Sequence, residues 1–354
     1  MTFSIRLRKC IFSLFFLARS VNANIHNKID TLKLFGVISL RVSIVKFAFR
    51  NVIVGRMWAF FCKFVKFEWN QIKKLQMIME QKNENQVWVI GFSPTRTSWK
   101  VGQAVARGFG KEWKNIDLTY GGTSLPSHFS DKDTLIVCAP VYGGHVAPPA
   151  LARLDAIQGA GARAIVVVTY GNRAYDGALA ELAEFVSRHG CRVVGAGAFV
   201  GEHSYSVAAY PVAAGRPDTD DLKLAEQLGM HVSEKCGLSA DGLIDGQKLT
   251  DSGVQPAVMA NFRQHLQQAM AQGKTVPSVP EVDAESCSHC GTCVDVCPTQ
   301  AIVAGQEEQT LADRCIRCCA CVKSCPSGAR TFDTPFSEAL SQFFSTPRRP
   351  DLWW

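Results

Sequence analysis

Along most of this chain the apolar residues fall into short unbroken runs, separated by stretches with only one apolar face. Val87–Phe92 (VWVIGF), Thr134–Ala139 (TLIVCA), Ala164–Thr169 (AIVVVT) and Arg192–Val200 are such runs. Each is short and most are rich in β-branched residues, which predicts buried strands rather than helices. Asn115–Thr119 is a further short candidate strand. Between them, Val101, Ala104, Val105 and Phe109 share one helical face, and Leu179, Leu182, Phe185 and Val186 do the same within Gly177–Arg188. Continuous apolar strands alternating with helices predict an α/β fold, a doubly wound parallel sheet covered on both faces. Residues 221–236 and 254–272 read as two more helices. Thr275–Val282, with two prolines, reads as a linker, and a Ser/Phe/Pro tail ends in Trp353 and Trp354.

The first 79 residues break this pattern. They hold 11 of the 21 Phe and 14 Lys/Arg against two acids, Asp30 and Glu68, a net charge of +12. The remaining residues carry 24 Lys/Arg and 29 Asp/Glu, a net −5, so the overall +7 belongs to one segment. An acidic body argues against nucleic acid as a partner. Three assignments compete for the basic segment. Arg6, Arg8 and Lys9 followed by Cys10–Ala18 resemble the start of a signal peptide. The segment also fits a basic amphipathic element at a membrane surface, although no apolar stretch reaches the ~18 residues of a spanning helix. The abrupt change of composition near Met77 and Met79 favours the third assignment, that the segment lies outside the mature protein.

Nine of the 14 cysteines fall between Cys287 and Cys325. Eight of these form two copies of one motif, C-x2-C-x2-C-x3-C-P, offset by 28 residues: Cys287, Cys290, Cys293, Cys297, Pro298, then Cys315, Cys318, Cys321, Cys325, Pro326. Three thiolates on one tight loop suit three corners of a cubane. In two-cluster ferredoxins the fourth cysteine of each copy ligates the other cluster. The expected ligand sets are therefore Cys287, Cys290, Cys293 and Cys325 for one [4Fe–4S] cluster, and Cys315, Cys318, Cys321 and Cys297 for the other. Zinc ribbons use separated C-x2-C pairs rather than triplets, and a disulfide framework suits a small secreted domain. Cys319 is left as a bystander thiol, His289 as a nearby polar residue, and Cys138, Cys191 and Cys236 as packing residues.

Three loops at the carboxyl ends of the predicted strands carry further candidate chemistry. Ser93-Pro-Thr95-Arg96-Thr97-Ser98 places four hydroxyls before a helix, where backbone N–H groups can hold a phosphate. The alternative is an ordinary Ser/Thr-capped helix, and the loop matches neither a dinucleotide fingerprint nor a P-loop. Pro140-Val-Tyr142-Gly143-Gly144-His145 and Tyr170-Gly171-Asn172-Arg173 each set an aromatic ring beside glycine. A phosphate loop with two such loops at one sheet edge is the layout of a flavin mononucleotide (FMN) site.

Ser93-x-Thr95-x-Thr97-Ser98, Ala139-Pro-Val-Tyr-Gly-Gly144 and Val168-Thr-Tyr-Gly-Asn-Arg173, with the cysteine repeat, resemble bacterial flavodoxin–ferredoxin fusion electron carriers, mostly of anaerobes. Arg96 stands where that family usually has glycine. The resemblance implies a flavodoxin-like sheet of order 2-1-3-4-5 followed by a small α+β ferredoxin domain. Ser93, Thr95, Thr97 and Ser98 would hold the FMN phosphate, with Arg96 as an added cation or a changed loop closure. Pro140, Tyr142, Gly143, Gly144, Tyr170, Gly171 and Asn172 would surround the ring, with Tyr175 and Asp176 weaker candidates and His145 as readily a surface residue. The expected organisation is a basic segment over 1–85, an FMN domain over 86–240, a helical linker over 241–282, a two-cluster domain over 283–332 and a tail over 333–354. The expected role is electron transfer in the cytoplasm with redox partner proteins, a ferredoxin pool or a reductase. An FMN-dependent oxidoreductase fed by the clusters, and an iron–sulfur redox sensor without flavin, are the alternatives. No catalytic acid–base pair or NAD(P)-binding domain stands out.

Overall fold

The computed structural model describes residues 85–127, 129–236, 242–251 and 253–354. The assignments made for the basic N-terminal segment lie outside the described residues. Within the remainder, the apolar runs become the strands they predict. β1 (Val87–Gly91) pairs in parallel with β2 (Trp113–Asp117) on one side and with β3 (Thr134–Tyr142) on the other. β5 (Arg163–Tyr170) and β6 (Arg192–Val200) continue the parallel sheet beyond β3. The parallel order is β2-β1-β3-β5-β6. Setting aside the two-residue β4 (His145–Val146), which only folds back on β3, this is the 2-1-3-4-5 order of flavodoxin-like folds. The chain therefore has a flavodoxin-like α/β sheet domain.

Alternation along the strands divides the core in two. Val89, Ile136, Val167 and Phe199 face α1 (Thr97–Phe109) and α4 (Thr219–Cys236), whose Val101, Val105, Leu228 and Val232 are buried against them. Ile90, Val137, Val166 and Ala198 face the other way, toward α2 (Pro148–Leu154) and α3 (Ala178–Arg188). The backbones of α1 and α4 touch through glycine. A Cβ on Gly229 would lie 2.0 Å from the Val105 carbonyl oxygen, and one on Gly108 would lie 1.8 Å from that of Glu226. Gly229→Ala gains helix propensity yet must force the two helices apart. A net loss of about 1–3 kcal/mol is expected from overpacking, read as a lowered urea midpoint. An unchanged midpoint would show that the helices re-seat freely.

Two parts of the chain do more than their sequence announces. The end of the proline-bearing linker, Glu281–Val282, is β7 and pairs antiparallel with β10 (Arg330–Thr331). The closing tail folds back in two pieces. α8 (Pro335–Phe343) buries Leu340 with Phe262 and Leu266 of α5 (Pro256–Ala271) and with Phe344. β11 (Asp351–Trp353) then lies antiparallel on β6. That strand covers the sheet edge that β6 would otherwise leave open to edge-to-edge pairing.

The cysteine module keeps its internal repeat in three dimensions. The short helices α6 (Thr292–Asp295) and α7 (Ala320–Lys323) are 28 residues apart, like the motifs. So are three pairs of left-handed residues: His289 and Arg317, Gly291 and Cys319, Gln300 and Gly328. β8 (Ile302–Val303) and β9 (Gln306–Thr310) form a small hairpin beside them. Its apolar core is only Cys293, Ile302 and Cys321, with Val294, Val296, Cys297 and Val322 around them. So small a core leaves most of the module's stability to whatever the thiolates bind.

Candidate functional site

Cysteines of the two motif copies come together across the repeat. Cys287, Cys290 and Cys293 from the first copy and Cys325 from the second line one small, partly open cavity, with Arg330 on its wall. Cys290 is exposed at its mouth. In the second set, Cys318 is buried and its thiol is pushed up to about 12, by burial first and then by the neighbouring Cys321, Cys297 and Cys315. Cys315 likewise feels Cys297. Among the described residues no group of three or more His, Cys, Asp or Glu is drawn tightly enough for a single metal ion.

The ninth cysteine has a structural explanation. Cys319 occupies the position of Gly291 in the repeat and adopts the same left-handed backbone, φ 57° against 75°. A non-glycine residue there costs roughly 1–2 kcal/mol. Its buried thiol donates to the Arg317 carbonyl at 3.7 Å. Aligning the two motif copies would have shown the glycine equivalence.

The module sits at the carboxyl edge of the parallel sheet. Arg153 of α2 donates to Leu118 O at 2.7 Å and to Pro298 O at 2.6 Å, tying the loop after β2 to the turn that follows Cys297. Lys323 of α7 bonds Glu202 at 2.5 Å and Ser206 O at 3.1 Å. Ile316, between Cys315 and Arg317, packs on the sheet core. Burial pushes the Tyr142 phenol well above its usual range, and the Cys318 and Cys319 thiols beside it push further. Tyr205 is raised to about 12 by burial first, then by Cys319, with Arg317 opposing. The second cysteine set therefore faces the aromatic loops of the sheet domain, while the first lies toward solvent.

The hydroxyl-rich loop divides into structural and available groups. Ser93 is buried. Its Oγ accepts from Trp99 N at 3.2 Å, and its N–H donates to Thr119 Oγ1 at 2.8 Å. Ser98 Oγ is 2.5 Å from Thr169 Oγ1, also buried. Thr95 and Thr97 are half-buried with hydroxyls 3.3 Å apart, and no side chain caps the helix they open. Arg96 keeps the loop shape that the resemblance assigns to glycine by adopting φ 63°. Its charge goes to Asp117, at 2.5 Å, and its guanidinium stacks over Trp99 at 4.9 Å. Burial raises the Asp117 carboxyl, but hydrogen bonds from Thr119 and Arg96 outweigh it and hold the group below its ordinary range.

The aromatic loops also divide. Gly143 and Gly144 form the turn between β3 and β4, with φ 64° and 91°. Two successive positive φ angles in a two-residue hairpin turn require such residues. Pro140 O accepts from Ala147 N at 3.0 Å. The third loop is closed over. Arg348 lies over the Tyr170 ring at 5.3 Å, and the buried Tyr170 hydroxyl has no partner. A Cβ on Gly171 would strike the His203 ring. Asn172 is 2% exposed, and its amide is committed to the C-terminal segment. Nδ2 donates to Phe344 O (2.6 Å) and Thr346 O (2.9 Å), and Oδ1 accepts from Arg348 N (3.1 Å). Tyr175 is buried, with its hydroxyl bonded to Thr250 O and Asp351. Asp176 pairs with Arg173 at 2.6 Å, and His145 is exposed, 3.5 Å from Glu181. The uncapped helix start at Thr95–Ser98 fits an anion. The amide of Asn172 does not fit a ligand contact while the C-terminal segment is in place. No helix among the described residues is long and apolar enough to cross a membrane.

Two family models match the chain, each described as a 4Fe-4S binding domain, over residues 280–303 and 312–328. Together they contain all eight motif cysteines. No curated protein matches in sequence. Among solved structures, a flavodoxin from the domain Archaea is 15% identical, with 43% of this chain and 99% of that chain aligned at a TM-score of 0.33. Flavodoxin 1 of Bacillus cereus is 15% identical over 42% and 98%, at 0.31. The rubredoxin oxygen:oxidoreductase of the anaerobe Desulfovibrio gigas is 14% identical over 44% of this chain, which spans only 37% of that protein, at 0.33. At these scores the fold assignment rests on the strand order of the sheet, not on the neighbours.

Proposed function

We propose that this chain, a flavodoxin-like sheet domain followed by a pair of 4Fe-4S binding domains, is an electron-transfer flavo-iron–sulfur protein of anaerobic metabolism. One observation carries the reading: Ile316, in the loop between Cys315 and Cys318, packs with Tyr142 on the sheet core, at the strand edge where ligands of such folds bind. A flavin supplies two-electron chemistry that can be released in single steps, matching clusters that each move one electron. The backbone of Thr95–Ser98 and the Thr95 and Thr97 hydroxyls hold the FMN phosphate, with Ser93 and Ser98 shaping the loop from inside. Tyr142 and Gly143 lie against the ring. Cys315, Cys318, Cys321 and Cys297 hold the cluster next to the flavin. Cys287, Cys290, Cys293 and Cys325 hold the outer cluster, where the exposed Cys290 offers an exit to redox partner proteins.

The test is composition followed by kinetics. Protein purified anaerobically should contain about eight iron and eight sulfide per chain, the content of two four-iron clusters, and close to one FMN. Rapid reduction should bleach flavin and clusters with linked rates. The closure of the Tyr170–Asn172 loop by the C-terminal segment favours one other reading, an iron–sulfur sensor with no flavin. Full iron with no FMN after reconstitution would select it.

A further inference from the structure

Arg330 has a position that the cluster motifs do not account for. It lies in β10, five residues after Cys325, and is 3% exposed. Its guanidinium is held by two short bonds, from one terminal nitrogen to Glu307 O and from the other to Thr310 Oγ1, both 2.6 Å. Neither acceptor is charged, and no carboxylate pairs with Arg330 among the described residues. Its Nε–H is buried with no partner. A buried cation without a counter-charge is costly, and an orphan donor adds to that cost.

The surroundings supply the missing counter-charge. Arg330 lines the same cavity as Cys287, Cys290, Cys293 and Cys325. On that cavity Cys293 packs in one small core with Cys321 of the other set, which brings the second set up to the same guanidinium. Cys293 belongs to the outer set and Cys321 to the inner. With four thiolates each, both clusters are net anionic, and each gains one more negative charge on reduction.

We propose that Arg330 is a shared cationic positioning residue wedged between the two clusters, donating its free Nε–H to cluster sulfur and favouring the reduced state of both. The inference rests on the two-cluster reading of this chain. Net charge and hydrogen bonds to the sulfurs are established levers on cluster potential. Two bonds to neutral oxygens keep the fork in place without neutralising it, so the charge stays available to the clusters. A residue serving one cluster would tune one potential. One between two keeps them moving together, so that an electron passes between them without a large step.

The experiment is an anaerobic redox titration of the full chain, followed by electron paramagnetic resonance, with iron and sulfide counted for each variant. Arg330→Gln should make one-electron reduction of both clusters about tenfold less favourable, ~59 mV more negative. Arg330→Lys should recover part of that shift. A fully loaded Arg330→Gln protein with both potentials unchanged would overturn the proposal, as would a shift confined to one cluster. If Arg330→Gln fails to load, the unaltered guanidinium decides. A chain labelled with guanidino-¹⁵N arginine, and carrying Arg317→Lys to remove the neighbouring label, should show ¹⁵N coupling to the reduced clusters. Loaded clusters without that coupling would overturn the proposal. A parent chain with no iron or sulfide would overturn the cluster reading itself, and this inference with it.

Discussion

Cys297→Ala should lower the iron content from about eight to about four atoms per chain, and the cluster that disappears should be the one held by the other motif. Cys297 lies in the first motif copy, yet its thiol neighbours Cys315, Cys318 and Cys321 of the second. Its sulfur accepts from Ala301 N at 3.2 Å. Cys325 shows the converse, lining the cavity of Cys287, Cys290 and Cys293. The residual electron paramagnetic resonance spectrum of Cys297→Ala should therefore match that of Cys318→Ala, and that of Cys325→Ala should match Cys290→Ala. A match between Cys297→Ala and Cys290→Ala instead would mean each motif holds its own cluster. The kinetic consequence is larger than the loss of half the iron. Cys297→Ala removes the cluster beside Tyr142 and should abolish linked bleaching of flavin and iron. Cys325→Ala leaves that step intact and loses the outer cluster.

The reach of the sequence follows the range of the interactions concerned. β1, β3, β5 and β6 were legible because strands buried on both faces must be continuously apolar, and that signal is local. The crossed ligand sets could be proposed from the sequence because their cysteines sit at fixed spacings on one chain. β11 was not, since Asp-Leu-Trp has no period to detect and becomes a strand only because β6 offers an open edge. The side chain of Asn172 was expected at a flavin ring, yet the glycines, aromatics and amide of that loop serve equally to seat Arg348 and Phe344 O. A local motif does not distinguish an amide that waits for a ligand from one satisfied by a segment about 170 residues away. Arg330 was invisible for a related reason. Only tertiary structure shows that, among the described residues, this arginine is buried without a carboxylate.

Arg348→Ala should be the most damaging single change in the sheet domain, because it strands a buried carboxylate. Asp251 is 3% exposed and receives Arg348 at 2.7 Å. It also accepts the N–H of Tyr175 at 2.7 Å and of Gly253 at 2.8 Å, so it fastens the loop after β5 to the C-terminal segment. Removing one partner of a buried pair costs about 3–5 kcal/mol, since the remaining charge has lost its compensation. The sign of the pH dependence separates this cause from simple loss of packing. In the parent protein burial raises the Asp251 carboxyl, but hydrogen bonding led by Arg348 outweighs it and holds the group below its ordinary range. A depressed carboxyl stabilises the fold above its unfolded pKa, near 3.9, and that contribution is lost as pH falls through the folded value. In Arg348→Ala the burial is no longer opposed by the cation. The carboxyl then moves upward, and protonation in acid relieves the variant while it harms the parent. The urea midpoints of parent and variant should therefore lie far apart near pH 7 and converge as the pH approaches about 4. A gap of constant size across that range would mean that Arg348 acts through its contacts with Tyr170 and Arg173 O rather than through the charge of Asp251.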